Sequence, residues 1–227
     1  MTPPDGPGEG ALPWRDPAAR ALFRLLPAEV LCYADTSARV FALTFDDGPH
    51  PSTTPDLLDV LARHSARATF FLIGERVPGN EAIVERIAAE GHELGNHLMR
   101  DERSALMPAA RFREELAEVT ALLARYGPVR WVRPGSGWFT PHMMRAARER
   151  DLRLALGTLV AMHTGGPGDR RIAAMLAGEV RPGSIVVLHE GSETRRGVVE
   201  AVDELLTRLT ADGFAAVTIS ELADMDR

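Results

Sequence analysis

Lysine is missing from this chain: all 26 basic side chains are arginine. That excludes chemistry that runs through a Schiff-base lysine. Cysteine is nearly missing. Cys32 stands alone, which excludes an internal disulfide framework and a cysteine-built zinc cluster. Long apolar runs are missing as well, so no segment has the length and hydropathy to span a bilayer. Positive charge is not in excess: a formal net charge of −6 offers no electrostatic footing for nucleic acid or an anionic membrane surface. The N-terminal stretch MTPPDGPGEGALPW lacks the basic-then-apolar order of a secretory leader. The expectation is a cytoplasmic protein, or a secreted one whose leader has been removed.

What is present suffices for one large domain: 227 residues, 45% hydrophobic and 26% charged, a composition typical of globular proteins. Residues 1–36 read as an N-terminal extension, partly disordered, with Pro, Gly and acid over 1–16, a short helix over 17–26 and an edge strand over 29–34. Residues 37–227 read as the main domain. From Val40 onward, strands and helices alternate. Strands are expected over 40–45, 68–73, 92–96, 130–133, 152–159, 184–189 and 214–219. Helices are expected over 54–64, 81–90, 108–126, 141–150, 170–178 and 196–212, several closed by a C-terminal glycine. Continuous apolar strands alternating with helices imply a parallel sheet covered by helices. About seven such units close into a barrel, with an open doubly wound sheet as the alternative. In either case functional groups belong at the C-terminal strand ends.

The polar residues that need explaining fall there. The stretch VFALTFDDGPH runs an apolar strand into two adjacent carboxylates, Asp46 and Asp47, stopped by Gly48-Pro49. Burying charge at a strand end costs stability unless the charge is used or paired, although an Asp-Gly-Pro turn in water explains the same letters. In GHELGNHLMRD, His97 and Asp101 are four positions apart. If the chain turns helical after the strand, they share a face, and with Asp47 they make a three-ligand divalent-metal site with a position left for water. A solvated surface turn is the alternative. Arg133, His163 and His189 also end strands. His92 reads as a strand-start residue, and His50, His64 and His142 as turn or helix-surface residues. Arg195 and Arg196 read as a solvated helix end. Trp138 and Phe139 read as core or as loop aromatics able to stack on a ligand.

These motifs resemble the polysaccharide deacetylases with the NodB homology domain, carbohydrate esterase family 4. TFDDGP (44–49), GHELGNH (91–97), VRPG (132–135) and GSIVVLHEG (183–191) occur in the family's order over most of the chain. The resemblance implies a distorted (β/α) barrel and removal of N-acetyl groups from N-acetylhexosamine units of a chitooligosaccharide- or peptidoglycan-type glycan, with release of acetate. It implies one divalent metal ion, zinc first and cobalt or manganese as alternatives. By resemblance Asp47 and His97 are metal ligands, Asp46 is the general base and His189 the general acid, with Leu188 as pocket wall. Arg133 orients Asp46, and the main-chain N–H near Ser136 faces the developing oxyanion.

The chain departs from the family pattern in three places. Asp101 stands where a second metal-binding His is usual, and would make the site more anionic and the ion a weaker Lewis acid, favouring Mn²⁺ or Co²⁺. Gly135-Ser136, followed by Trp138, replaces a Pro-aromatic pair. His163 falls where an Asp is usual, and reads as structural rather than as a ligand. Other amides, acetyl esters or a catalytically silent glycan-binding role are the competing readings.

Overall fold

The computed structural model describes residues 26–161 and 169–226. The expected short helix over 17–26 and His163 therefore lie outside or at the limit of the described residues. The strands are β1 Val30–Leu31, β2 Val40–Gly48, β3 Thr69–Leu72, β4 Glu93–Asn96, β5 Val129–Val132, β6 Arg153–Ala155, β7 Leu159–Val160, β8 Ile185–His189 and β9 Ala215–Val217. The helices are α1 Thr53–Arg63, α2 Glu81–Ala89, α3 Ala109–Leu123, α4 Pro141–Arg148, α5 Asp169–Glu179, α6 Val198–Ala211 and α7 Ile219–Ala223. All strand pairs are parallel, in the order β1-β6-β5-β4-β3-β2-β8-β7, with β9 against the start of β2.

The sheet is strongly curled, and chain connectivity shows why. The expected single strand over 152–159 divides into β6, near one end of the sheet, and β7, at the other end. Only Leu156, Gly157 and Thr158 separate them, and each residue spans at most about 3.6 Å. The two ends of the sheet must therefore come close together, as a half-barrel requires. Gly157 makes the crossing possible, because a Cβ there would collide with Val187 Cγ2. Thr158 Oγ1 completes it by accepting a 2.6 Å hydrogen bond from Ile185 N. Across the same seam Ala34 N donates to Gly183 O at 3.0 Å. The barrel reading is thus borne out as a curled parallel sheet.

Strand alternation sorts the layers. On β2, Phe41, Leu43 and Phe45 face the helices and join the main core, while Ala42 faces inward with Phe71, Trp131 and Ile185. The helices contribute periodic faces such as Phe112, Leu116, Val119 and Leu123 of α3 and Val198, Val202, Leu205 and Leu209 of α6. Apolar residues at that period bury one stripe against the sheet. The short α7, with Ile219 and Leu222, packs into the inner cluster beneath the site. Its N-terminus is held by a Thr218–Glu221 capping box.

Candidate active site

Because every strand is parallel, the C-terminal ends of β2, β4, β5, β6, β7 and β8 share one side of the sheet. They line a cleft of about 420 Å³. Its walls include Asp46, Asp47, His97, Arg133, Pro134, Gly157, Val187, His189 and Arg195.

A regular strand points adjacent residues to opposite faces, so Asp46 and Asp47 would not both reach the cleft. Asp46 follows Ala42 and Thr44 on the inner face. Asp47 is turned back to the same side by a backbone irregularity: its φ is +70°, and the pairing with β3 shifts register between Asp46 and Gly48. Aspartate tolerates the left-handed region better than most residues. The Arg76 guanidinium donates to the Asp47 carbonyl and helps to hold this geometry.

Arg133 follows β5 on the inner face. Its Nη1 donates to Asp46 Oδ1 at 2.6 Å and to Thr44 Oγ1 at 2.7 Å, and its Nε donates to Ala155 O at 3.0 Å. The guanidinium carbon lies 4.1 Å from the centroid of the Phe71 ring. Asp46 and Arg133 are both buried, so this pair is desolvated and rigidly oriented. Asp46 Oδ2 is left facing His189, whose Nε2 is 4.0 Å away. His189 Nδ1 donates to Ala161 O at 3.0 Å, which turns Nε2 into the cleft.

His97 lies just beyond β4, with its Nδ1 donating to the Arg133 carbonyl at 2.6 Å. Its Nε2 faces Asp47 Oδ1 at 3.3 Å. Arg195 Nη1 pairs with the other oxygen, Asp47 Oδ2. Burial alone would raise the Asp47 pKa, but the hydrogen bond and charge of His97, with Arg195, hold it well below the usual carboxylate range. Burial pulls His97 downward; Asp46 and Asp47 more than offset it, and its pKa lies above the ordinary imidazole value. A lone pair on Nε2 would repel Oδ1, so this contact demands a shared cation, a proton or a metal ion. Neighbouring ligands of a tetrahedral ion with bonds of about 2.0–2.1 Å stand about 3.3 Å apart. The Asp47–His97 pair therefore fits a divalent ion, and the Nδ1 hydrogen bond selects the tautomer that a ligand needs.

Two expectations are corrected. No helical turn follows β4: Leu98 has φ +65°, its N–H is taken by Asn96 Oδ1 at 2.7 Å, and residues 99–102 run as bends. Asp101 is consequently exposed on the cleft rim rather than stacked beside His97. Among the described residues no group of three His, Cys, Asp or Glu side chains is placed to hold a metal. Leu188 is not a pocket wall. Alternation on β8 sends Val186 and Leu188 into the core under the helices, and Val187 and His189 line the cleft instead.

The remaining expected residues lie around the rim. Ser136 belongs to the 3₁₀ turn Gly135–Gly137, whose two glycines line the cleft. Trp138 follows it and is 73% exposed. His92 is buried, accepts from Ala68 N at 3.3 Å and has its pKa pushed down to about 4 by burial, as suits a structural histidine. Sequence reasoning missed Arg195, which reads as a solvated helix end but reaches Asp47. Its place six residues after His189, in a strand-end loop, was the available signal. It missed Glu190 and Arg76 altogether.

Fold and cleft together define a barrel-type α/β protein whose strand ends are arranged for acid–base chemistry. Comparison with known proteins makes this specific. The polysaccharide deacetylase family model matches residues 33–155. A peptidoglycan-N-acetylglucosamine deacetylase of Bacillus cereus is 33% identical over 192 residues, covering 81% of this chain and 88% of that protein. A chitooligosaccharide deacetylase of Bradyrhizobium is 31% identical over 205 residues, covering 84% and 94%. A crystal structure of a peptidoglycan N-acetylglucosamine deacetylase superposes with a TM-score of 0.81 at 28% identity, covering 88% and 95%. An acetyl xylan esterase of Clostridium thermocellum, solved with a cobalt ion, superposes with a TM-score of 0.75 at 31% identity, covering 81% and 89%. The chain belongs to the polysaccharide deacetylase family.

Proposed function

We propose that this protein is a metal-dependent hydrolase that removes N-acetyl groups from N-acetylhexosamine units of a chitooligosaccharide- or peptidoglycan-type glycan. The observation that carries this reading is the division of labour between the adjacent carboxylates. Asp46 is held by Arg133 with one oxygen directed at His189, while Asp47 is held against His97. Asp47 and His97 would hold the ion, and Asp101 would have to swing inward from the rim to add a third donor. When bound, a divalent ion polarises the acetyl carbonyl and lowers the pKa of water.

The chain's own groups supply the rest. Asp46 Oδ2 accepts the proton of the attacking water, since Arg133 occupies Oδ1. Arg133 also balances the buried charge and fixes the plane of the carboxylate. His189 Nε2, on the opposite side of a 4.0 Å gap, donates a proton to the departing amine nitrogen. The Ser136 main-chain N–H offers its hydrogen to the developing oxyanion, since those of Gly135 and Gly137 are donated to Ser104 Oγ and the Pro134 carbonyl. The exposed Trp138 ring provides a stacking face for a neighbouring sugar.

The specific observation favouring a second reading, a catalytically silent glycan-binding relative, is that Asp101 stands on the rim instead of beside the other two donors. Acetate release from metal-stripped protein separates the two. N-acetylglucosamine oligomers and peptidoglycan fragments would be supplied, with Zn²⁺, Co²⁺ or Mn²⁺ added back. Metal-dependent release is expected. Glycan binding without release under any ion would replace this proposal with the second reading.

A further inference from the structure

Glu190, the residue after β8, is fully buried and takes no part in the chemistry above. Its Oε2 accepts hydrogen bonds from Thr54 Oγ1 at 2.6 Å and Thr53 Oγ1 at 3.4 Å, at the start of α1. Its Oε1 has no hydrogen-bond partner although it is buried. That oxygen lies against Gly48, where an added Cβ would collide with it. The main chain of Glu190 reaches the site twice. Its N–H donates to the Asp46 carbonyl at 3.0 Å. Its carbonyl accepts from Arg195 Nη1 at 3.0 Å, the same atom that pairs with Asp47 Oδ2. The next residue, Gly191, has φ +82°, and a Cβ there would collide with the Asp47 carbonyl. Glu190 thus bonds to Asp46 directly and to Asp47 through Arg195, and its side chain touches Gly48 and the start of α1.

A buried carboxyl with one oxygen unpartnered costs stability. An apolar residue would fill the volume without that cost. What an apolar residue would not supply is the hydrogen bond to the threonines that begin α1, made by the residue whose main-chain N–H already holds the Asp46 carbonyl. We propose that Glu190 is a positioning residue of this site: wedged between Gly48 and the hydroxyls that begin α1, it fixes the bulge that aims Asp46 and Asp47 into the cleft. This inference rests on the reading of those two aspartates as the working carboxylates. Burial pushes the Glu190 pKa up to about 8, so near neutral pH the wedge adds little negative charge behind them.

The test uses Glu190→Ala, Glu190→Gln and Thr54→Val in the full-length, zinc-supplemented protein. Amide hydrogen exchange over residues 46–50 should accelerate about tenfold or more in Glu190→Ala while protection elsewhere holds. In acetate release, kcat should fall about tenfold or more with KM changed less than about twofold, since small misplacements of reacting groups cost rate steeply. Glu190→Gln should restore both readouts to within about threefold, because the amide keeps the shape and the hydrogen bond. Thr54→Val should act in the same direction and non-additively with Glu190→Ala. Unchanged exchange over 46–50, or unchanged kcat, in Glu190→Ala would overturn the proposal. If Glu190→Ala does not fold, wild-type exchange in Thr54→Val overturns it. If the wild-type protein releases no acetate, the proposed function fails, and the exchange measurement alone decides the role of Glu190.

Discussion

Replacing Arg133 by methionine keeps a flexible, unbranched stem, shorter than that of arginine, and removes the charge and the donors. Three hydrogen bonds are lost, to Asp46, Thr44 and Ala155, and Asp46 is left as a buried carboxylate without its partner. Breaking a buried ion pair from one side costs about 3–5 kcal/mol. At about 2–4 °C per kcal/mol for a domain of this size, the melting temperature should drop by about 6–20 °C. The pair need not be strongly stabilising in net terms. Arg133 Nη2 is buried without a hydrogen-bond partner, so part of its desolvation goes uncompensated. The double variant Arg133→Met/Asp46→Asn should therefore recover about 0.5–3 kcal/mol of the summed single losses. Urea unfolding of the metal-free forms, followed by circular dichroism, gives the four stabilities of the cycle. A loss below about 1 kcal/mol in Arg133→Met, as typical of an exposed pair, or strict additivity with Asp46→Asn, would refute a tightly coupled buried pair.

Other outcomes follow from the same geometry. Leu188→Ala should cost about 2–5 kcal/mol of stability, the range for emptying a packed core position, while KM moves less than about twofold. A large KM change would return Leu188 to the cleft wall. Glu190 makes stability depend on pH. Its pKa is raised from 4.5 to about 8 on folding, so between those values the folded chain holds a proton that the unfolded chain has released. This contribution is therefore complete below about pH 4.5 and lost as pH rises towards about 8. Unfolding midpoints of wild type and Glu190→Gln, measured from pH 5 to pH 9, should diverge accordingly, and parallel curves would count against the buried carboxyl. Asp101→Ala should weaken zinc binding about tenfold or more if the rim carboxylate joins Asp47 and His97, as titration calorimetry would show. An unchanged affinity would remove Asp101 from the ligand set.

The parts of the site legible in the sequence were those carried by local pattern. Apolar runs that end in polar residues marked β2, β5 and β8, and parallel alternation placed Asp46, Asp47, His97, Arg133 and His189 at one side of the sheet. Side-chain direction was less legible. Period-two alternation alone separates Asp46 from Asp47, and only the positive φ of Asp47 with its register shift reunites them. The same alternation, applied to β8, would have moved Leu188 out of the cleft wall. A helical turn after Asn96 would set Asp101 beside His97, whereas the side chain of that asparagine captures the Leu98 N–H and turns the chain elsewhere. Arg195 and Glu190 act across long sequence separations, on Asp47 and on Thr54. No local periodicity encodes such contacts.

In the proposed mechanism Asp46 transfers the proton and Asp47 with His97 binds the metal. Bound zinc and acetate release, measured together on wild type, Asp46→Asn and His97→Ala, test it most directly. Wild type should bind zinc and turn over. Asp46→Asn should keep its zinc while turnover falls about 10²-fold or more, as the loss of a general base requires. His97→Ala should lose both. Full activity in Asp46→Asn, or tight zinc binding in His97→Ala, would contradict the account.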